Sequence, residues 1–145
     1  MTSQLNVDTI VDKAGSGGTN VKVGNTSTYV SDGGSATQNT VQGLAKAWCV
    51  FNGEGTVAIT DSNNSASLTD VAQGDYTLGF TNNMNSAAYA VSGSSVGSDS
   101  GSYFNFLCGD SANNTTSVYE INFVHRSTGQ VDNDHSATIV HGDLA

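Results

Sequence analysis

The sequence predicts an all-β protein, and three observations carry that prediction. Ser, Thr, Asn and Gly supply 67 of the 145 residues, a bias toward strands and tight turns and away from helices. No window shows an apolar stripe of 3.6-residue period, whereas short segments of period-two alternation recur through the second half. Hydrophobic residues, 37 % of the chain, fall in that regular beat, which excludes wholesale disorder. The length fits one domain of about 100 residues plus an extension.

The extension comes first. SQLNVDTIVD at 3–12 places Leu5, Val7 and Thr9 on one face before Ile10 and Val11 break the phase. AGSGG at 14–18 is a flexible run, TNVKVG at 19–24 is a short strand with Val21 and Val23 in phase, and Thr28–Val30 is another fragment. SDGGSATQNT at 31–40 reads as loop or linker. None of these pieces can bury a core alone, so residues 1–40 are expected to form an extended N-terminal arm that docks on something else.

Residues 41–145 are expected to fold as an antiparallel β-sandwich or jelly-roll-like knob. From Ala45 to Phe51, Ala45, Ala47, Cys49 and Phe51 share one face, with Lys46, Trp48 and Val50 on the other. Asn52-Gly53-Glu54-Gly55 supplies a turn in which positive φ is cheap, and Thr56–Thr60 returns. Ser67–Ala72 and Asp75–Phe80 flank the turn Gln73-Gly74, a register that sets Val71 opposite Tyr76. Ala88–Ser92, Tyr103–Cys108, Ser117–Arg126 and Ser136–His141 complete the strands. Trp48 is expected in the core or between knobs, with Lys46 of the same face meeting water.

Two runs carry a resemblance. QGLAKAWCVFNGEGTVAITDS, followed by SLTDVAQGDYTLGFTNNM and AAYAV, resembles the C-terminal region of tail-fibre-like proteins of bacteriophages, marine ones above all. The upstream QLNVDTIVDKAGSGGTNVKVGN and YVSDGGSATQNTVQ, and the closing strand with Gly142, resemble the same proteins. The resemblance implies a virion protein, usually a homotrimer, with a fibre-like role and no reaction. Residues 1–40 would then contact other virion proteins. The chain is short for a tail fibre, so a spike or a decoration on the head or neck is equally open.

Other function classes are excluded more simply. The formal net charge is −9, with four Lys and Arg in all, and no basic patch for nucleic acid is possible. The N-terminus lacks a basic region followed by an apolar run, and no stretch approaches a membrane span, so synthesis in a host cytoplasm without membrane insertion is expected. No HExxH, phosphate loop or CxxC occurs, and neither catalysis nor a cofactor is expected. Cys49 and Cys108 read as small buried hydrophobes, a disulfide being the minor alternative. Asp61, Asp70, Asp75 and Asp110 lie near turns beside Asn or Ser, where side-chain capping accounts for them; calcium would need several such oxygens to converge.

The histidines are the sharper signal. Tyr119, Ile121, Phe123 and His125 share one face, as do His135, Ala137, Ile139 and His141. If the two strands pair, His125 meets His135, Ile121 meets Ile139 and Tyr119 meets His141. The plain reading is a pair of strands whose rim positions are histidine. The functional reading is a metal site of His125, His135 and His141, imidazole being a common transition-metal ligand; in a trimer, one His per chain near the axis already supplies three ligands. Trp48, Tyr89 and Tyr103 are the candidate glycan-facing or interface rings. Two function classes remain: a virion structural protein that attaches to host-surface glycan, and a free-standing carbohydrate-binding or adhesin-like sandwich.

Overall fold

A computed structural model describes residues 27–30, 37–41, 43–96, 106–108, 113–125 and 129–144, with backbone alone for 106–108. The chain divides into two units, Met1–Val41 and Gln42–Ala145. In the first, β1 (Thr28–Val30) pairs antiparallel with β2 (Thr37–Asn39), with Thr28 opposite Asn39 and Val30 opposite Thr37. Thr40 N–H closes the hairpin onto the Ser27 carbonyl at 2.9 Å. The linker expected over 31–40 is therefore strand at Thr37–Asn39, because the Thr28–Val30 backbone takes it as a ladder partner. The segments at 3–12, 14–18 and 19–24 lie outside the described residues.

The second unit is all-β. Its strands are β3 (Ala47–Asn52), β4 (Ala58–Asn63), β5 (Ser65–Ala72), β6 (Asp75–Phe80), β7 (Ala90–Val96), β8 (Phe106–Cys108), β9 (Val118–His125), β10 (Gly129–Gln130) and β11 (His135–His141). One sheet has the order β4-β3-β11-β7 and the other β10-β9-β6-β5, with β8 also on β9. Every pairing is antiparallel. Asp75 and Cys108 both register with Asn122, so β6 and β8 flank β9 on opposite sides.

Period-two alternation decides what lies between the sheets. On β3, Ala47, Cys49 and Phe51 point inward and are fully buried, while Trp48, Val50 and Asn52 on the other face are half-buried. Tyr76, Leu78 and Phe80 of β6 and Tyr119, Ile121 and Phe123 of β9 meet them from the opposite sheet. The Phe51 ring stands edge-on to Tyr76 at 5.2 Å, and Phe80 stacks on Tyr119 at 5.3 Å. β11 turns Ser136, Thr138 and Val140 inward, so its polar residues line the core. Tyr119 and Thr138 hydroxyls answer each other across the sandwich at 2.6 Å. The Ser136 hydroxyl is sealed without a partner. A buried hydroxyl of that kind carries its desolvation cost uncompensated. Ser136→Ala is accordingly expected to raise the unfolding free energy by about 1 kcal/mol, read as a higher urea midpoint at unchanged slope.

Two of the corners that carry the chain between sheets are tied down by side chains. Asn64, between β4 and β5, sits at φ 56°, a left-handed conformation that Asn tolerates. Its side chain donates to the Lys46 and Asn82 carbonyls and accepts from Asn82 N–H. The second corner, 131–134, links β10 to β11. Gly53 N–H donates to the Asn133 carbonyl, and the Asp132 carboxylate accepts from Gly74 N–H at 2.7 Å. The Tyr76 hydroxyl lies 2.7 Å from the same Asp132 oxygen and 2.9 Å from the Gly53 carbonyl. Burial first, and then the Asp132 carboxylate, hold that phenol protonated well above the usual phenol range.

Several expectations are corrected. β9 and β11 do not pair: β11 lies between β3 and β7, and β9 belongs to the facing sheet. The polar corner at 131–134 turns the chain across the sandwich, so the two strands end in different sheets. Val71 does not oppose Tyr76; a bulge between Asp70 and Ala72 sets Asp70 opposite Tyr76 and leaves Val71 exposed. Lys46 does not meet water; it is buried, and its ammonium donates to the Leu44 carbonyl at 2.9 Å. β4 begins at Ala58 and runs on to Asn63, and β7 extends to Val96. Asp75–Phe80 is a strand over the span that the alternation marks out.

Candidate functional site

Trp48 is not a core residue. Its strand position sends the indole to the outer face of the β4-β3-β11-β7 sheet, opposite the side that buries Ala47 and Cys49. Directly paired residues of antiparallel strands project to the same side, so the registers write this face out row by row. Asn63, Trp48, Ile139 and Ser92 form one row. Asp61, Val50, Ala137 and Ser94 form the next. Ile139 is 37 % exposed, and Val96, opposite His135 at one end, is 63 % exposed.

Charge is nearly missing from this face, although the chain carries 13 Asp and Glu. Asp61 sits on the outermost strand and accepts from Ser62 N–H, and Lys46 is covered. The surface offers one large ring, branched aliphatics and small hydroxyls. That combination suits burial against another protein surface or stacking under a sugar ring.

The histidines are not gathered into one place. His125 ends β9 in one sheet, while His135 and His141 open and close β11 in the other. Six residue steps along a strand span about 20 Å, so His135 and His141 of one chain do not share an ion. Among the described residues, no group of three or more His, Cys, Asp and Glu stands close enough to hold a metal.

Tyr89 is committed to packing. Its ring meets Phe80 at 5.7 Å and Tyr119 at 6.4 Å, and its hydroxyl lies within 3.0 Å of the Thr115 and Val118 carbonyls. Burial pushes the phenol up to about 12. Tyr103 and Asp110 lie outside the described residues. Cys49 is a free, fully buried thiol, pushed by burial up to about 11, so it has no thiolate character near neutral pH. It acts as a small apolar side chain; the Cys108 side chain lies outside the described residues.

Sequence reasoning did not find the Asp75–Glu120–Asn122 group on the outer face of the other sheet. Glu120 accepts from the Asn113 and Asn122 side-chain amides, and Asn122 accepts from Gln130. The signal available was the polar phase of β6 and β9: Asp75 and Thr77 alternate with Tyr76 and Leu78, and Glu120 and Asn122 with Ile121. Knowing that β6 and β9 are neighbours was needed to use it.

The chain matches no known protein-family profile, no curated protein and no solved structure. Among the described residues, no helix is long and apolar enough to cross a membrane.

Proposed function

We propose that the chain is a virion structural protein of a bacteriophage, a short fibre, spike or decoration protein. In this reading residues 1–40 contact other virion proteins and the knob stands out as a homotrimer that contributes to host-surface attachment. The observation that carries it is the nearly uncharged Trp48–Ile139 face on an otherwise acidic chain. Copies bearing a formal charge of −9 repel one another, and a face whose one carboxylate, Asp61, sits on its outermost strand is where that repulsion is least and apolar burial greatest. The resemblance to tail-fibre-like proteins supports the same reading from the sequence side.

The test has two parts. Light scattering of the full chain is expected to give about three times the 14.8 kDa chain mass, and Trp48→Glu is expected to return it to a single chain mass. Expressed during infection, a chain starting at Gln42 is expected to retain a cooperative melt and to fail to enter particles. A full-length monomer at micromolar concentration would count against the trimer, and particle entry by the truncated chain would count against the role of the arm.

A free-standing carbohydrate-binding or adhesin-like sandwich is the second reading. The half-exposed Trp48 ring flanked by Asn63 favours it, because a sugar stacks on an indole while amides bind its hydroxyls. Quenching of Trp48 emission by a soluble glycan in a monomeric protein would select this reading over the first.

A further inference from the structure

We infer that Asp75 and Glu120 share one proton, and that this proton fastens β6 to β9 and to the loop that leads into β9. The inference concerns the polar outer face of the β10-β9-β6-β5 sheet and does not depend on the proposed function. Thr77 registers with Glu120 and Asp75 with Asn122, so the two carboxyl groups are diagonal neighbours on adjacent strands. Asp75 Oδ1 is sealed from solvent and receives no hydrogen bond from any donor. A carboxylate oxygen in that position is costly, because nothing replaces the water it lost. A carboxylic acid is not, because it can donate its own proton to a neighbouring acceptor.

Glu120 is that acceptor. Its two oxygens already receive amide N–H groups from Asn122 at 2.7 Å and from Asn113 at 2.5 Å. The Glu120 backbone N–H donates in turn to the Asn114 side chain at 3.0 Å. Glu120 is therefore already held by two amide donors, Asn113 on the loop and Asn122 on β9, and Asp75 is the member left to carry the proton between them. The groups around Asp75 agree. From β5 it meets Ala72, and from β9 Asn122 and Glu120. Through the turn it meets Gly74, whose N–H is taken by Asp132. Asp132 directs the same oxygen to the Tyr76 hydroxyl. Glu120 is the charge that acts on Asp75; after burial, its repulsion and its hydrogen bond keep the Asp75 carboxyl protonated above the ordinary 3.8.

The sign follows from proton linkage. A group that holds its proton more tightly when folded contributes stability that is complete below its unfolded value, here 3.8. That contribution is lost as pH rises through its folded value. This face is thus an acid-stabilised clasp. Above the folded value the proton leaves and two carboxylates face each other as diagonal neighbours on β6 and β9.

Carboxyl-carbon NMR of the full chain, titrated with acid, tests this directly. The Asp75 midpoint is expected above 3.8, and Glu120→Gln is expected to move it down toward that value. Thermal melts supply the second readout: Asp75→Asn is expected to melt above wild type at pH 7, with the gap closing as pH falls through the folded value and gone below 3.8. An Asp75 midpoint at or below 3.8, or one that Glu120→Gln leaves in place, overturns the shared proton. A wild-type protein that melts above Asp75→Asn at pH 7 overturns the clasp. If Asp75→Asn does not fold, the wild-type and Glu120→Gln titrations still decide.

Discussion

Replacing Phe51 with alanine is expected to lower the unfolding free energy by about 3–5 kcal/mol, the usual range for emptying a fully buried aromatic site. The ring is 0 % exposed and belongs to β3, yet its neighbours are Tyr76 and Phe123 of the facing sheet, at 5.2 and 6.1 Å. Deleting it leaves a cavity between the layers, where neither sheet can move in without breaking its own ladder. Domains are typically stable by about 5–15 kcal/mol, so the variant should lose a large part of its margin. Trp48→Ala is the matched comparison, three residues away on the same strand and larger in side chain. Its ring is only half-buried on the outer face, so it is expected to cost less than Phe51→Ala when the protein is dilute enough to be monomeric. Urea midpoints of the two variants check this. If the tryptophan proved the costlier of the two in the monomer, the inner and outer faces of β3 would have been assigned the wrong way round.

The inner faces of three strands were readable because their alternation is clean and aromatic. Ala47-Cys49-Phe51, Tyr76-Leu78-Phe80 and Tyr119-Ile121-Phe123 each place large apolar groups two residues apart, and Gln73-Gly74 marks the turn before β6. β11 was readable as a strand but not as to its partner. Sequence-adjacent strands often pair, and HSATIVH offers apolar groups on both faces. Only packing reveals that the Ser136-Thr138-Val140 face goes inward, with Thr138 reaching Tyr119. Local bulges are equally invisible in the sequence. One extra residue near Val71 moves Tyr76 to a different partner, and no residue type there announces it.

Less of the site was legible, for a related reason. Trp48 stood out as the lone tryptophan, but whether it faced the core or the outside depended on which phase of β3 the opposite sheet would cover. Ala47, Cys49 and Phe51 settled that by fitting between the layers. The histidine triad depended on a pairing that the crossover at 131–134 rules out within one chain. Asp132 stands in the polar run VDND with nothing in the sequence to single it out. In the fold it meets Tyr76, 56 residues away, and Gly74, 58 residues away, and no local pattern encodes such a meeting.

That meeting makes Gly74 the position where the smallest change should do the most harm. Gly74→Ala is expected to cost about 2–5 kcal/mol, combining the penalty for a left-handed alanine with that for forcing atoms into filled space. Gly74 sits at φ +67°, and a Cβ built there would lie 2.6 Å from the Val131 nitrogen and 2.8 Å from the Phe123 and Val131 carbonyl oxygens. Those are backbone atoms of β9 and of the corner, so no side chain can swing aside. Retreat would stretch the Phe123 N–H bond to the Gly74 carbonyl, now 2.8 Å, and the Gly74 N–H bond to Asp132. The Tyr76 hydroxyl would then lose its acidic partner as well. Gly55 separates the two contributions. It has nearly the same φ, +68°, with nothing within 4 Å of the added carbon, so Gly55→Ala should cost only about 1–2 kcal/mol, the conformational part alone. Urea unfolding of the two variants side by side measures the difference. Equal losses would mean that the 131–134 corner yields freely, and that the Gly74–Asp132–Tyr76 contacts do not tie the two sheets together.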